Sequence, residues 1–219
     1  MYKFLFLITF IILHQDIAKA KKPDPNNFNQ KYLSNYFSAI ISTKNHNDLK
    51  AISYFNNSKN LIKFHKNFLE NYVFSLVSSG KIKRSIVELK KFNSENLDVF
   101  FEGHLILFID SINNKNFEKA GSHLRELSKF QNNDTYQIII TETLRSYLDL
   151  FTNKKIIRTN KDFGKLSLIT NAFQLCYLNS KNSNNSFLDL INSEDGDYSR
   201  YLFFYLQNII KNKEYSNAK

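Results

Sequence analysis

The sequence predicts an all-α chain in which antiparallel helix pairs stack side by side as an α-solenoid. Three observations predict it. Helix breakers are scarce: both prolines, Pro23 and Pro25, lie near the start, and the glycines are Gly80, Gly103, Gly121, Gly164 and Gly196. Apolar residues recur at intervals of three and four, which places them on one face of a helix. A small residue, Ala51, Ser85 and Ala120, returns at spacings of 34 and 35, each followed four positions later by a large apolar one, Phe55, Leu89 and Leu124. A period of that length in a helical chain marks repeated helical hairpins.

Taken in order, the first twenty residues, MYKFLFLITFIILHQDIAKA, read as a Sec signal peptide. Lys3 supplies the positive start, Phe4 to Leu13 the apolar run, and Ala18-Lys19-Ala20 the small-x-small cleavage pattern. Crossing a bilayer takes roughly 20 apolar residues, more than this run provides. Residues 21–30, KKPDPNNFNQ, read as a polar leader.

Residues 31–132 divide into three hairpins. In the first, KYLSNYFSAIIST leads through KNHND into LKAISYFNNSKNLIKF. In the second, Leu69, Tyr72, Val73, Leu76 and Val77 mark one apolar face and Ile82, Ile86, Leu89 and Phe92 another, on either side of a break at Gly80. In the third, VFFEGHLILFIDSI leads through NNKN into FEKAGSHLRELSKF. The small residue lets the first helix of each pair approach the second, and the large residue one turn later fills the groove beside it. A single hairpin leaves an apolar face uncovered, so neighbours stack and share a core.

Residues 133–219 are less regular. TYQIIITETLRSYLDLF and DFGKLSLITNAFQLCYLN read as amphipathic helices joined by FTNKKIIRTNK, with polar breaks at KNSNN and NSEDGD. A fresh hairpin then opens with a helix from Tyr198 to Ile210. Its turn, NKEY, and the first residues of a second helix make up NKEYSNA at 212–218, which repeats the pattern of NKNFEKA at 114–120. The expectation is an array truncated mid-repeat, leaving Leu202, Phe203, Phe204, Leu206, Ile209 and Ile210 without a partner hairpin and open to self-association.

The segments GKIKRSIVEL (Gly80, Ile82, Ser85, Leu89), NKNFEKAGSHL (Phe117, Ala120, Leu124) and NHNDLKAISYF (Leu49, Ala51, Phe55) resemble tetratricopeptide repeats (TPR). The resemblance covers roughly residues 31–130, with a partial match at 197–219. It implies a right-handed, TPR-like superhelix whose groove is lined by the first helices and takes a protein or peptide partner. On that basis Asn67, Glu70, Phe74 and Ser78, the non-core positions of the second hairpin's first helix, are the candidate partner-binding residues. Ala51, Phe55, Ser85, Leu89, Ala120 and Leu124 are the repeat-packing set.

Composition narrows the function further. Cys176 is the only cysteine, so packing and not an internal disulfide must hold the chain together. Its apolar setting, NAFQLCYL, suits a buried thiol. The formal net charge is +10, yet the lysines are scattered among Asn, Ser and Glu without a basic stripe. AT-rich codons account for the Lys, Asn, Ile, Phe and Tyr content. Nucleic acid is therefore not an expected partner, and weak association with an anionic envelope surface is left open.

Catalytic motifs are missing: there is no G-x-S-x-G, P-loop or G-x-G-x-x-G. His46, His65, His104 and His123 have no second ligand at zinc spacing, and His104 and His123 read as interior or boundary histidines. SEDGD (193–197) lacks the ligands of an EF-hand loop, and the sequons at Asn56, Asn133 and Asn184 are what an Asn-rich chain produces by chance. No metal or cofactor is expected. The reading is a non-enzymatic periplasmic scaffold of a bacterial cell-envelope complex. Its alternative is the helical, non-catalytic N-terminal part of a larger exported enzyme acting on the cell wall.

Overall fold

The computed structural model describes residues 29–65, 67–94, 99–130, 134–157, 161–193 and 199–212. The signal-peptide segment, nearly all of the leader, Asn133, the SEDGD run after Ser193 and the NKEYSNA turn after Asn212 lie outside the described residues. Among the described residues the chain is all-helical, with ten α-helices, two short 3-10 turns and no strand. In order these are α1 (Gln30–Lys44), α2 (Asp48–Asn57), a 3-10 turn (Lys59–Leu61), α3 (Phe68–Ser78), α4 (Ile82–Ser94), α5 (Phe101–Asn113) and α6 (Phe117–Ser128). Then follow α7 (Thr135–Asn153), α8 (Lys165–Tyr177), α9 (Ser183–Ile191), a 3-10 turn (Ser199–Tyr201) and α10 (Leu202–Asn212).

Four helices end on the same device. After α1, α3, α5 and α8 one residue adopts a left-handed backbone: His46 (φ 56°), Gly80 (φ 75°), Lys115 (φ 57°) and Asn179 (φ 50°). Its amide bonds the carbonyl three residues back. The next amide, of Asn47, Lys81, Asn116 or Ser180, bonds the carbonyl five residues back at 2.8–3.0 Å. This closure satisfies carbonyls that a helix end leaves open and turns the chain sharply. Glycine meets the left-handed requirement at Gly80, whereas the other three side chains hold it against a steric cost of roughly 1–2 kcal/mol. The helix after the turn is then capped where the sequence permits. The Asn47 side chain accepts from Lys50 N (3.4 Å) at α2, and Asn116 from Lys119 N (3.1 Å) at α6.

Five positions past each left-handed residue lies a small buried side chain. Ala51, Ser85 and Ala120 are wholly buried, and Asn184 is buried at the fourth turn. The 34- and 35-residue spacing of the sequence is thus the spacing of the turn itself, since His46, Gly80 and Lys115 repeat it. The large followers Phe55, Leu89 and Leu124 are buried too.

The chain forms two compact units, residues 1–82 and 83–219. In the first, Tyr36, Ala39, Ala51, Ile52, Phe55, Leu61, Phe68, Tyr72 and Leu76 make one core. Tyr36 stacks on Phe68 with centroids 5.3 Å apart, and Phe55 meets Phe68 edge-on at 5.2 Å. The hydroxyls of Thr43 and Ser75 lie 2.9 Å apart. Both α1–α3 contacts, Tyr36 to Phe68 and Thr43 to Ser75, join residues 32 apart. Helices α1 and α3 therefore run parallel, with α2 returning between them. Val77, expected on the core face, is exposed: Phe68 and Ser75 are also buried, which swings the inward arc of α3 toward Tyr72. Ile82 is exposed for a similar reason, since the buried arc of α4 runs through Ser85, Glu88, Leu89 and Phe92.

In the second unit α5 and α6 pair around Phe101, Phe108, Ala120, Leu124 and Leu127. Gly103 lets α5 lie close to Val99 and to Leu89 of α4, because a Cβ at that position would lie 2.7 Å from Val99 Cγ1 and 3.0 Å from Leu89 Cδ2. Helix α7 leans on α6 and is not followed by a returning helix. Lys154, left-handed at φ 52°, ends it. Helices α8 and α9 form the fourth-turn pair, and α10 packs on α9 around Ala172, Phe187, Leu190, Tyr205 and Ile209. Ile209, expected without cover, is therefore wholly buried, while Leu202, Phe203, Phe204, Leu206 and Ile210 are exposed. Helices α8 and α10 again run parallel: Cys176 bonds Asn208 and Lys211 bonds Asn179, each pair 32 residues apart.

Replacing Ala120 with Phe should overpack the α5–α6 pair and lower stability by about 1–3 kcal/mol in urea unfolding. Lys119→Ala, one position away but exposed, should stay within about 0.5 kcal/mol. Equal losses would contradict the packing role of the small position.

Candidate functional site

Asn67, Glu70, Phe74 and Ser78 follow one another at steps of three and four, and all four are exposed along a single face of α3. Phe74 is 57% exposed, too much for a core contact. At the end of this strip Ser78 and Ser79 border a shallow polar hollow whose far side is the α1–α2 turn, Asn45 to Leu49. The strip offers one aromatic ring, one carboxylate and neutral hydrogen-bonding groups. It can hold a partner by surface contact, but it brings no nucleophile and base together.

The six packing residues are all buried. Asn184 is buried as well and accepts from Asn208 Nδ2 at 2.6 Å, so its sequon is closed in the folded chain. Among the described residues no group of three or more His, Cys, Asp or Glu side chains is placed to hold a metal ion. No described helix is long and apolar enough to cross a membrane.

The structure brings together two histidines that sequence reasoning kept apart. His104 on α5 and His123 on α6 meet with their Nδ1 atoms 3.2 Å apart. One ring donates its N–H to the bare nitrogen of the other, so the accepting ring must be uncharged and the contact cannot survive with both rings charged. His104 is 5% exposed, and Phe130 lies against it with centroids 6.5 Å apart. Burial, followed by the charge of His123, pushes the His104 pKa down to about 4. Burial also lowers His123, opposed by Glu126 and Asp110 and assisted by Lys119 and Lys90. Glu126 itself is held low chiefly by the hydrogen bond from Lys129 (2.6 Å), and Lys90 pairs with Asp110 at 2.6 Å. The signal in the sequence was positional: the two histidines fall on facing stretches either side of the Lys115 turn.

Comparison with protein-family models, curated proteins and solved structures found no match to this chain.

The histidine pair sets a pH dependence. Below the ordinary histidine value of about 6.5 the unfolded chain takes up protons that folded His104 refuses, so stability falls as pH drops from 6.5 toward 4. The loss from His104 alone approaches roughly 3 kcal/mol over that window. Urea unfolding from pH 7 to pH 4 should show this slope, and His104→Gln, which keeps a hydrogen-bonding group without titrating, should flatten it. An unchanged slope would contradict the assignment.

Proposed function

We propose that this chain is a non-enzymatic scaffold built as a right-handed, TPR-like solenoid of stacked helix pairs, which holds a protein or peptide partner against its first helices. The observation that carries the reading is the repeated parallel register of those helices. Contacts between α1 and α3, and separately between α8 and α10, join residues 32 apart. Such a register places equivalent faces of successive helices side by side within each unit, as stacked repeats do. The recurring left-handed turn supports the same reading. The exposed strip Asn67, Glu70, Phe74 and Ser78 lies on one of these first helices and is the proposed partner-binding face. The signal-like first twenty residues support a bacterial periplasmic setting for the scaffold, within an envelope complex.

A photoreactive phenylalanine analogue at Phe74 should form a discrete adduct with a partner protein in intact cells. Phe74→Asp should reduce capture of that partner about tenfold or more, as loss of an aromatic anchor does, with the melting temperature unchanged. Adducts no stronger than those from an analogue at Lys119, or cell-wall hydrolysis by the chain alone, would overturn the proposal.

A further inference from the structure

Helices α7, α8 and α10 enclose an open groove of about 480 Å³ within the second unit. That is within the range of roughly 300–1,000 Å³ typical of small-ligand sites. Its walls are aromatic: Tyr147 and Phe151 from α7, Phe173 and Tyr177 from α8, and Phe204 from α10, over a floor of Leu150 and Phe187. The rings brace one another edge-on, Phe151 on Tyr177 at 5.1 Å and Phe173 on Phe204 at 4.9 Å. Tyr177 and Phe204 remain 46% and 40% exposed, so the apolar lining faces solvent.

Charge is confined to one end. Lys211 lines the groove there, and Lys154 sits 4.9 Å above the Tyr177 ring. Among the described residues no carboxylate lines the groove. Lys154 Nζ donates to the Tyr177 hydroxyl at 2.6 Å and Lys211 Nζ to Asn179 Oδ1 at 2.5 Å. Each of these bonds uses one of an ammonium's three donors. Helices α7, α8 and α10 end in this region, and their partial negative charge offsets part of the lysines' field. A bound anion is therefore held by direct N–H bonds and not by long-range attraction.

Along the middle of the groove, between Phe204 and Lys211, Gln207 is the one exposed polar side chain of the lining. The buried Asn208 amide is already spent on Ser183 Oγ (2.8 Å) and Asn184 Oδ1 (2.6 Å), and its oxygen accepts from Cys176. An extended peptide would find few partners on these ring-lined walls for the backbone N–H and C=O groups it turns toward them. A ligand with one polar head and one hydrocarbon tail makes no such demand. We propose that the groove binds a single long-chain carboxylate, its chain among the aromatic rings and its head on Lys154 and Lys211. The site is concave, with its lysines at one end, which fits one amphiphile molecule better than the plane of a bilayer. It goes beyond the scaffold reading, since it stands on α7, α8 and α10 and not on the α3 strip.

Cys176, the only cysteine, lines the groove and reports its occupancy. The test titrates the full chain with cis-parinaric acid, displaces it with palmitate or 1-hexadecanol, and measures iodoacetamide alkylation of Cys176. The expected result is saturable binding at one per chain and displacement by palmitate. Occupancy should slow Cys176 alkylation about tenfold. Lys154→Gln with Lys211→Gln should weaken palmitate at least tenfold and leave 1-hexadecanol unchanged. Any of four results would overturn the proposal: no saturation, binding that leaves Cys176 unprotected, binding only to anionic phospholipid vesicles, or Cys176 protection that rises with protein concentration alone. The last result would mean that a second copy fills the groove. None of the four bears on capture through Phe74, so the scaffold reading stands or falls separately.

Discussion

A left-handed residue at the end of one helix, followed five positions later by a small buried side chain in the next, is the constraint on which the rest of the structure depends. The left-handed residue lets the turn close its own carbonyls, so the chain reverses without unpaired backbone groups. The small side chain then falls where the two helices cross, and its size sets how near they come. With that distance fixed, the large residue one turn later, Phe55 or Leu124, fills a space of defined width. Overpacking at the small position is therefore felt by the whole pair.

Once each pair is formed, polar groups and aromatic rings set how first helices lie against one another. Thr43 and Ser75 share a hydrogen bond at the same 32-residue offset at which Tyr36 stacks on Phe68. In the second unit Cys176, Asn208, Asn179 and Lys211 fill the corresponding role between α8 and α10. Where such bonds are half-buried, as between Thr43 and Ser75 and between Cys176 and Asn208, slippage is penalised because a displaced pair leaves two polar groups unmatched. The histidine pair of α5 and α6 adds a condition on these buried polar groups: it holds only while at least one ring stays neutral.

The repeated hairpins were legible because their determinants are local. Gly80, the Asn-Lys-Asn of 114–116 and the small residues at 51, 85 and 120 all lie within a few positions of a turn. The fourth turn escaped notice because Asn179 and Asn184 stand where glycine and alanine would have announced it, and Asn tolerates both the left-handed backbone and a satisfied interior. Val77 and Ile209 were misplaced because helical spacing defines a stripe, whereas the neighbouring elements decide its centre. The α3 strip could be read from what the core left over. The aromatic groove could not, because Tyr147 and Phe151, Phe173 and Tyr177, and Phe204 are i,i+4 pairs or single rings that look like ordinary core until three helices are seen to share them. The His104–His123 contact joins two helices in the same way, and no single-helix pattern encodes it.

The parallel register of first helices is the central claim, and disulfide trapping tests it most directly. With Cys176 replaced by Ser, the double variant Thr43→Cys, Ser75→Cys places two thiols where the hydroxyls now lie 2.9 Å apart. Disulfides tolerate little error, since the two Cα atoms must come within about 7 Å. Rapid and complete intramolecular oxidation, with a Thr43→Cys, Leu76→Cys control staying reduced, is the predicted result. Equal oxidation of both variants, or of neither, would contradict the account.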